Sequence, residues 1–251
     1  MSTVDPDAPA PETYEVDRAI RGHEAGNRGV ETLNDPAALD PALWPETWKA
    51  YERKAFPRFS GHTLSAARAP TRRSTRSFNP ASVSLSTLSA LLEPLSIHES
   101  EARSTRAVPS AGALYPIETY IMVLSADEHS GMSCYYDDQR HAMVPLFPLP
   151  TTMRERPEDY LGVTPTPNAA LYVLFTAVLY RTMRKYGARG YRYALLEAGA
   201  MASAVDDAAC RLGLGTVWLG GFDDSRASEL IGIRAEIELE VPLLFLAVGA
   251  P

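Results

Sequence analysis

Apolar positions along the chain fall into two patterns, one nearly continuous and one recurring every three to four residues. Residues 117–124, 169–180 and 241–250 are apolar runs shorter than the ~20 residues a membrane helix needs, so they predict buried strands. Elsewhere the period is helical. Leu85, Leu88, Leu91, Leu92 and Leu95 share one face after Ser84 or Ser86, either of which can cap the helix, and Pro94 closes it early. A second helix is expected over residues 191–212, where Leu195, Leu196, Gly199, Ala202, Val205, Ala209 and Leu212 form an apolar side rich in small residues. Gly213 stops that helix, residues 216–219 give a short strand, Asp223 or Asp224 caps a further helix, and residues 241–248 close the sheet.

Between these elements, residues 131–146 carry short apolar runs around Asp137-Asp138-Gln139, the pattern of a hairpin. Residues 147–168 are rich in Pro and polar groups, which predicts a long loop with a short helix near 155–160, of a length that often serves as a lid. Helices mixed with hairpins and separated strands imply an α+β sheet without regular β-α-β alternation. Residues 1–35 have few large hydrophobes to offset the entropy of ordering and predict a mobile arm. Residues 36–67 form a helical docking segment, in which Trp44, Trp48, Tyr51, Phe56 and Phe59 recur at helical spacing. The core domain is then residues 68–251.

Composition narrows the function. With 251 residues and 45% apolar content, the chain can bury one full domain. A net charge of −7 with no basic cluster beyond residues 68–76 leaves no nucleic-acid footprint. Cys134 and Cys210 are too few for a disulfide framework and read as reduced core thiols, and His23, His62, His98, His129 and His141 have no ligand spacing, so no metal site is expected. The N-terminus lacks a signal peptide, which predicts a cytoplasmic protein without membrane attachment.

Four segments carry candidate chemistry. Arg72, Arg73 and Arg76 with Ser74 place three guanidiniums and a hydroxyl in five residues, a set suited to phosphate oxygens and equally to solvated surface charge. Pro109-Ser110-Ala111-Gly112 lies just before an apolar strand; Gly112 permits backbone to approach a flat ring, though an ordinary turn has the same composition. Leu219-Gly220-Gly221 follows a short strand, and with Gly213 and Gly215 it fails the G-x-G-x-x-G spacing of a nicotinamide site. The fourth, residues 184–199, holds Lys185-Tyr186 ahead of a helix containing Glu197. Taken alone, Lys185 also reads as a solvated lysine at a helix start.

Taken in order, these segments resemble the nitroreductase superfamily, and within it the SagB-type dehydrogenases that oxidise peptide azolines to azoles. The resemblance covers about residues 68–250 and implies a nitroreductase-like fold, a mixed central β-sheet flanked by helices, homodimeric with FMN at the interface. It implies that Arg72, Arg73, Ser74 and Arg76 hold the FMN phosphate and that Pro109, Ser110, Ala111 and Gly112 lie against the flavin ring, often that of the second subunit. Leu219, Gly220 and Gly221 match the positions that bring a backbone N–H to flavin N5. It also makes Lys185 and Tyr186 the proton-handling catalytic pair. Lys185 would act as base where desolvation and neighbouring cations such as Arg181 or Arg184 favour its neutral form. His141 matches a hairpin histidine of that group, with no catalytic role.

The chain departs from the pattern at Ala200 and Ser203, where relatives carry His and Gln. It also ends at Pro251, where relatives often continue to another basic residue. The resemblance implies a peptide or carrier-bound azoline substrate, oxygen as the final oxidant, and cyclodehydratase or synthetase components as partners. Since nothing before residue 68 resembles a leader-binding domain, a ribosomal peptide would need a separate protein to deliver it. Two other readings stay open: an NAD(P)H-dependent nitro or quinone reductase of the same fold, and a catalytically inactive scaffold of a synthetase complex.

Overall fold

A computed structural model of the chain describes residues 72–99, 104–233 and 239–251; the expected arm, the aromatic docking segment, His23, His62 and Arg68 lie outside them. The strands are β1 (Ile97–Glu99), β2 (Ser104–Arg106), β3 (Ile117–Val123), β4 (Met132–Asp137), β5 (Ala142–Pro148), β6 (Leu171–Val178), β7 (Gly215–Leu219) and β8 (Glu240–Gly249). The helices are α1 (Leu85–Leu92), α2 (Thr151–Glu155), α3 (Pro157–Leu161), α4 (Leu179–Tyr186), α5 (Arg189–Arg211) and α6 (Asp224–Ile231).

Six strands form one sheet in the order β5-β4-β3-β6-β8-β7, while β1 and β2 pair separately. Every neighbouring pair in the sheet is antiparallel, and its mixed character comes from a parallel bridge between Ser74 and Thr216 beside edge strand β7. Thus β8 lies inside the sheet, between β6 and β7, rather than closing it. The continuous apolar runs follow from burial on both faces. Along β6, Val173 and Phe175 join Ile121, Leu246, the α1 leucines and Ala198, Ala202 and Val205 of α5 in one core layer. Tyr172 and Leu174 point the other way, joining Met122, Phe245, Met153, Leu161, Phe222 and Leu230. Alternate residues of a strand face opposite sides, so one run supplies two cores.

The first helix behaves as expected at its start. Ser84 accepts a 3.1 Å hydrogen bond from the Thr87 N–H, and a cap of this kind contributes about 1 kcal/mol. Pro94 then falls in a 3₁₀ turn, Glu93–Leu95. Leu85 departs from the predicted face, being 46% exposed at the first turn. The Asp223 side chain caps α6 by accepting from the Arg226 N–H at 3.0 Å.

Other expectations are corrected. The run 169–180 is not all strand: β6 ends at Val178 and α4 begins at once, burying Leu179, Thr182 and Met183 along one side. Lys185 therefore lies in the last turn of α4, where a cation suits the negative end of the helix dipole, and not at a helix start. On α5, Leu195 (43%) and Leu196 (64%) are exposed, because its buried stripe runs through Ala194, Ala198, Met201, Ala202 and Val205. Cys210 is exposed, whereas Cys134 is a core thiol. Residues 147–168 fold as two short helices whose Met153, Tyr160 and Leu161 are buried, so the segment is packed into the second core layer rather than poised as a lid.

Candidate functional site

Helix α5 spans the body and carries a polar cluster toward each end. At its C-terminal end, residues 72–76 run beside β7, with the Thr75 N–H donating to the Thr216 carbonyl at 2.8 Å. The approach is tight because residue 215 is glycine; a Cβ there would sit 2.6 Å from Thr75 Oγ1. Arg72 donates from Nε to Asp206 of α5, whose other oxygen accepts the Thr216 hydroxyl, and Arg72 also donates to Ser74 Oγ at 3.2 Å. Its guanidinium lies 6.0 Å from the centre of the Trp218 ring. Arg73 and Arg76 are exposed. Leu219 ends β7 in the buried layer, three residues or about 10 Å beyond Thr216, and Gly220 and Gly221 then emerge into solvent. A Cβ on Gly220 would meet nothing within 4 Å.

The second cluster surrounds residues 109–115. Ser110 precedes a 3₁₀ turn, Ala111–Ala113, and its hydroxyl accepts from the Tyr115 N–H at 2.9 Å. Gly112 has φ +65°, and Ala113 and Tyr115 also adopt positive φ, a conformation that disfavours side-chain-bearing residues and costs about 1 kcal/mol or more each. A Cβ on Gly112 would lie 2.5 Å from the Tyr186 hydroxyl oxygen and 2.8 Å from Lys185 Nζ. The predicted ring-contacting turn and the predicted proton-handling pair thus meet within one chain. Lys185 Nζ is 5.3 Å from the Tyr186 ring centre, and Tyr186 packs edge-on against Tyr193 at 5.0 Å.

Close packing of α4 on α5 holds that pair in place. A Cβ on Gly190 would fall 2.7 Å from the Met183 backbone nitrogen, so only glycine permits the approach, and the Thr182 hydroxyl donates to the Gly190 carbonyl at 3.2 Å. Arg181, one turn before Lys185, donates to the Tyr115 carbonyl at 2.8 Å and pairs with Glu118 at 2.5 Å. The desolvation and cationic neighbourhood expected around Lys185 are therefore not met by the described residues: Lys185 is exposed, and Arg181 is offset by Glu118.

Sequence reasoning assigned no role to Arg106 or Glu118, placed Arg181 only as a cation near Lys185, and treated Glu197 only as part of a helix pattern. Arg106 donates to Asp138 from both Nε and a terminal nitrogen, reaches the Ile117 carbonyl at 3.4 Å, and stacks 5.0 Å from the Tyr115 ring centre. Glu197 is buried 3.8 Å from Arg106, and burial pushes its carboxyl above the ordinary range against the opposing pull of Ser110, Arg106 and Arg181. His141 bridges Tyr136 at 2.7 Å and Ser89 at 2.9 Å, tying the hairpin to α1. Ala200 is half-buried and Ser203 exposed on α5.

Glu197 and Asp206 are nine residues apart on one helix, about 14 Å of rise, so the two clusters are separate patches of one chain. The residues suit a flat, phosphate-bearing cofactor. Arg73 and Arg76 have no ion pair among the described residues and remain available to an anion, and Gly220 has open space where a side chain would stand. Arg72 fits less well, being committed to Asp206.

Comparison with known proteins gives the family of the chain. The nitroreductase family matches residues 69–250. A Methanocaldococcus jannaschii protein named as a nitroreductase is 31% identical over 182 residues, covering 71% of this chain and 86% of its own. A chain of the E. coli microcin synthetase McbBCD complex, with truncated pro-MccB17 bound, shares the fold at a TM-score of 0.72 and 20% identity, over 97% of this chain and 94% of that one. A structure named as a nitroreductase from Anabaena variabilis aligns at a TM-score of 0.59 and 28% identity over 72% of this chain, which spans 36% of that longer chain. On the family match and the 31% identical relative, this chain belongs to the nitroreductase family of oxidoreductases.

Proposed function

We propose that the protein is an FMN-dependent dehydrogenase of natural-product biosynthesis, oxidising thiazoline or oxazoline rings in a peptide or carrier-bound substrate to thiazole or oxazole. The observation that carries this reading is the meeting of Gly112 with Lys185 and Tyr186, which sets a base and a hydroxyl against a turn able to accept a flat ring. Arg73, Arg76 and Ser74 would hold the phosphate, with open space at Gly220 for the ring system and Gly221 and the turn Pro109 to Gly112 lying along it. When bound, FMN supplies the acceptor for the hydride lost from the azoline ring, and oxygen restores the oxidised form. Lys185 takes the proton from the former peptide Cα, and Tyr186 orients or relays it.

The 14 Å between the two clusters supports a homodimer, in which the turn of one chain serves the cofactor held by the arginines of the other. The shared fold with a chain of a synthetase complex supports synthetase components as partners. The test is oxidation of an azoline peptide by purified protein loaded with FMN. Oxygen-dependent formation of the azole is expected; protein that takes up FMN yet leaves every azoline unchanged overturns the assignment. Exposure of Lys185 favours a second reading, a nitro or quinone reductase, which would consume NAD(P)H steadily with a nitroaromatic acceptor.

A further inference from the structure

Both carboxylate oxygens of Glu197 are buried without a hydrogen bond at ordinary distance, the Ser110 hydroxyl being the side chain placed to donate to them from farther off, a costly state for an anion. The cation nearest to it is committed elsewhere. Arg106 gives Nε and one terminal nitrogen to Asp138, and its other terminal nitrogen, 3.8 Å from Glu197 Oε1, lies 3.4 Å from the Ile117 carbonyl and 3.8 Å from Met201 sulfur. The polar and charged groups around Glu197 are Ser110 from the turn, Arg106 from β2 with Asp138 of the β4–β5 connection beyond it, and Arg181 from α4, with Met201 one turn along α5 beside Arg106. Arg181 is itself paired with Glu118. One fully engaged guanidinium thus faces two carboxyls, Asp138 and Glu197, and donates hydrogen bonds only to the first.

We propose that Glu197 is kept as a neutral carboxylic acid at neutral pH, and that this neutrality leaves Arg106 on Asp138 and on the Tyr115 ring, making Glu197 a positioning residue for the turn facing Lys185. The inference rests on the reading of that turn and Lys185 as the reacting face. Ionised Glu197 would compete with Asp138 for Arg106. Since Arg106 stacks on Tyr115, and the Tyr115 N–H is bound by Ser110, movement of the guanidinium would be passed into the strained segment 110–115. The protonation state of one buried carboxyl therefore sets the shape of the surface opposite Lys185. The direction of its shift, upward by burial, agrees.

The test is a ¹³C NMR titration of full-length protein labelled at the glutamate carboxyl carbons, with no activity needed. A resonance missing from Glu197→Gln should titrate in the wild type with a midpoint raised above that of a free glutamate, the carboxyl still protonated at neutral pH. The Tyr115 ring signals should move with the same midpoint and stay flat over that range in Glu197→Gln. Titration of the Glu197 resonance in the ordinary carboxylate range, or Tyr115 signals indifferent to it, overturns the proposal. Asp138→Asn gives an independent check that does not need the Glu197 variant to fold. It frees Arg106 to pair with Glu197 and should lower the raised midpoint by about one unit or more, tenfold in protonation equilibrium; an unmoved midpoint counts against the proposal. Loss of the azoline assignment through an active Lys185→Ala variant would leave these titrations unchanged, so the two failures are separable.

Discussion

Asp206 holds Arg72 through Nε while its second oxygen accepts the Thr216 hydroxyl, so one buried carboxylate ties the arginine segment, α5 and edge strand β7 together. This splits the arginines into one structural and two available cations. Asp206→Ala would leave the buried Thr216 hydroxyl without its acceptor and release Arg72, at a cost of about 1–3 kcal/mol in urea unfolding. Arg73→Ala and Arg76→Ala should change stability by less than about 0.5 kcal/mol yet weaken FMN uptake, measured by flavin absorbance after gel filtration. Equal stability loss in all three variants would deny the division.

Strands and the long helix were legible because their signals are local. The runs that became β3, β6 and β8 stayed apolar since both faces are covered, and Gly213 and Asp223 marked helix ends by local chemistry, a positive φ at the glycine and a side-chain cap at the aspartate. Helix α4 was not legible: its first residues continue the apolar run of β6, and only tertiary packing through Gly190 distinguishes them. The exposed faces of Leu195 and Leu196 failed for a related reason, since small alanines rather than leucines meet the sheet. At the site, motif residues were readable as a sequence pattern, whereas the supports Arg106, Arg181 and Glu118 depend on partners far apart in the chain, such as Arg106 with Asp138 and Arg181 with Glu118.

Gly112→Ala separates fold from function. Its positive φ would cost about 1 kcal/mol of stability, but the atoms a methyl meets are the tips of Tyr186 and Lys185, which can swing away. Unfolding should therefore change little while substrate oxidation falls tenfold or more, because the displaced pair is the proposed proton-handling group. An unimpaired variant would show that the pair need not stand against the turn.

Buried Glu240 makes stability depend on pH in a known direction. Burial raises its pKa, opposed by hydrogen bonds from Thr176 and Tyr120, reinforced by Glu118 and opposed again by Arg181. A raised folded-state value means that its contribution is fully present below the ordinary glutamate value of 4.5 and is lost as pH rises through the folded value. Glu240→Gln should flatten that decline, so wild type loses ground to the variant as pH rises above the ordinary value of 4.5 in paired urea titrations. Parallel curves would show that Glu240 titrates alike in both states.

Lys185 and Tyr186 give the sharpest division of labour, because they face Gly112 while the arginines available for phosphate lie at the other end of α5. If the proposed function holds, Lys185→Ala should leave FMN uptake and the proposed dimer unchanged, checked by flavin absorbance and light scattering, while slowing azoline oxidation by about 10²-fold or more, the usual contribution of a general base. Arg76→Ala should fail in the opposite way, losing FMN while the fold persists. Tyr186→Phe keeps the ring against Tyr193 and removes only the hydroxyl, so a smaller loss than for Lys185→Ala is expected if Tyr186 orients the proton rather than accepting it. Full oxidation by Lys185→Ala would reduce the lysine to a favourable charge at the end of α4 and move proton removal to Tyr186 or water.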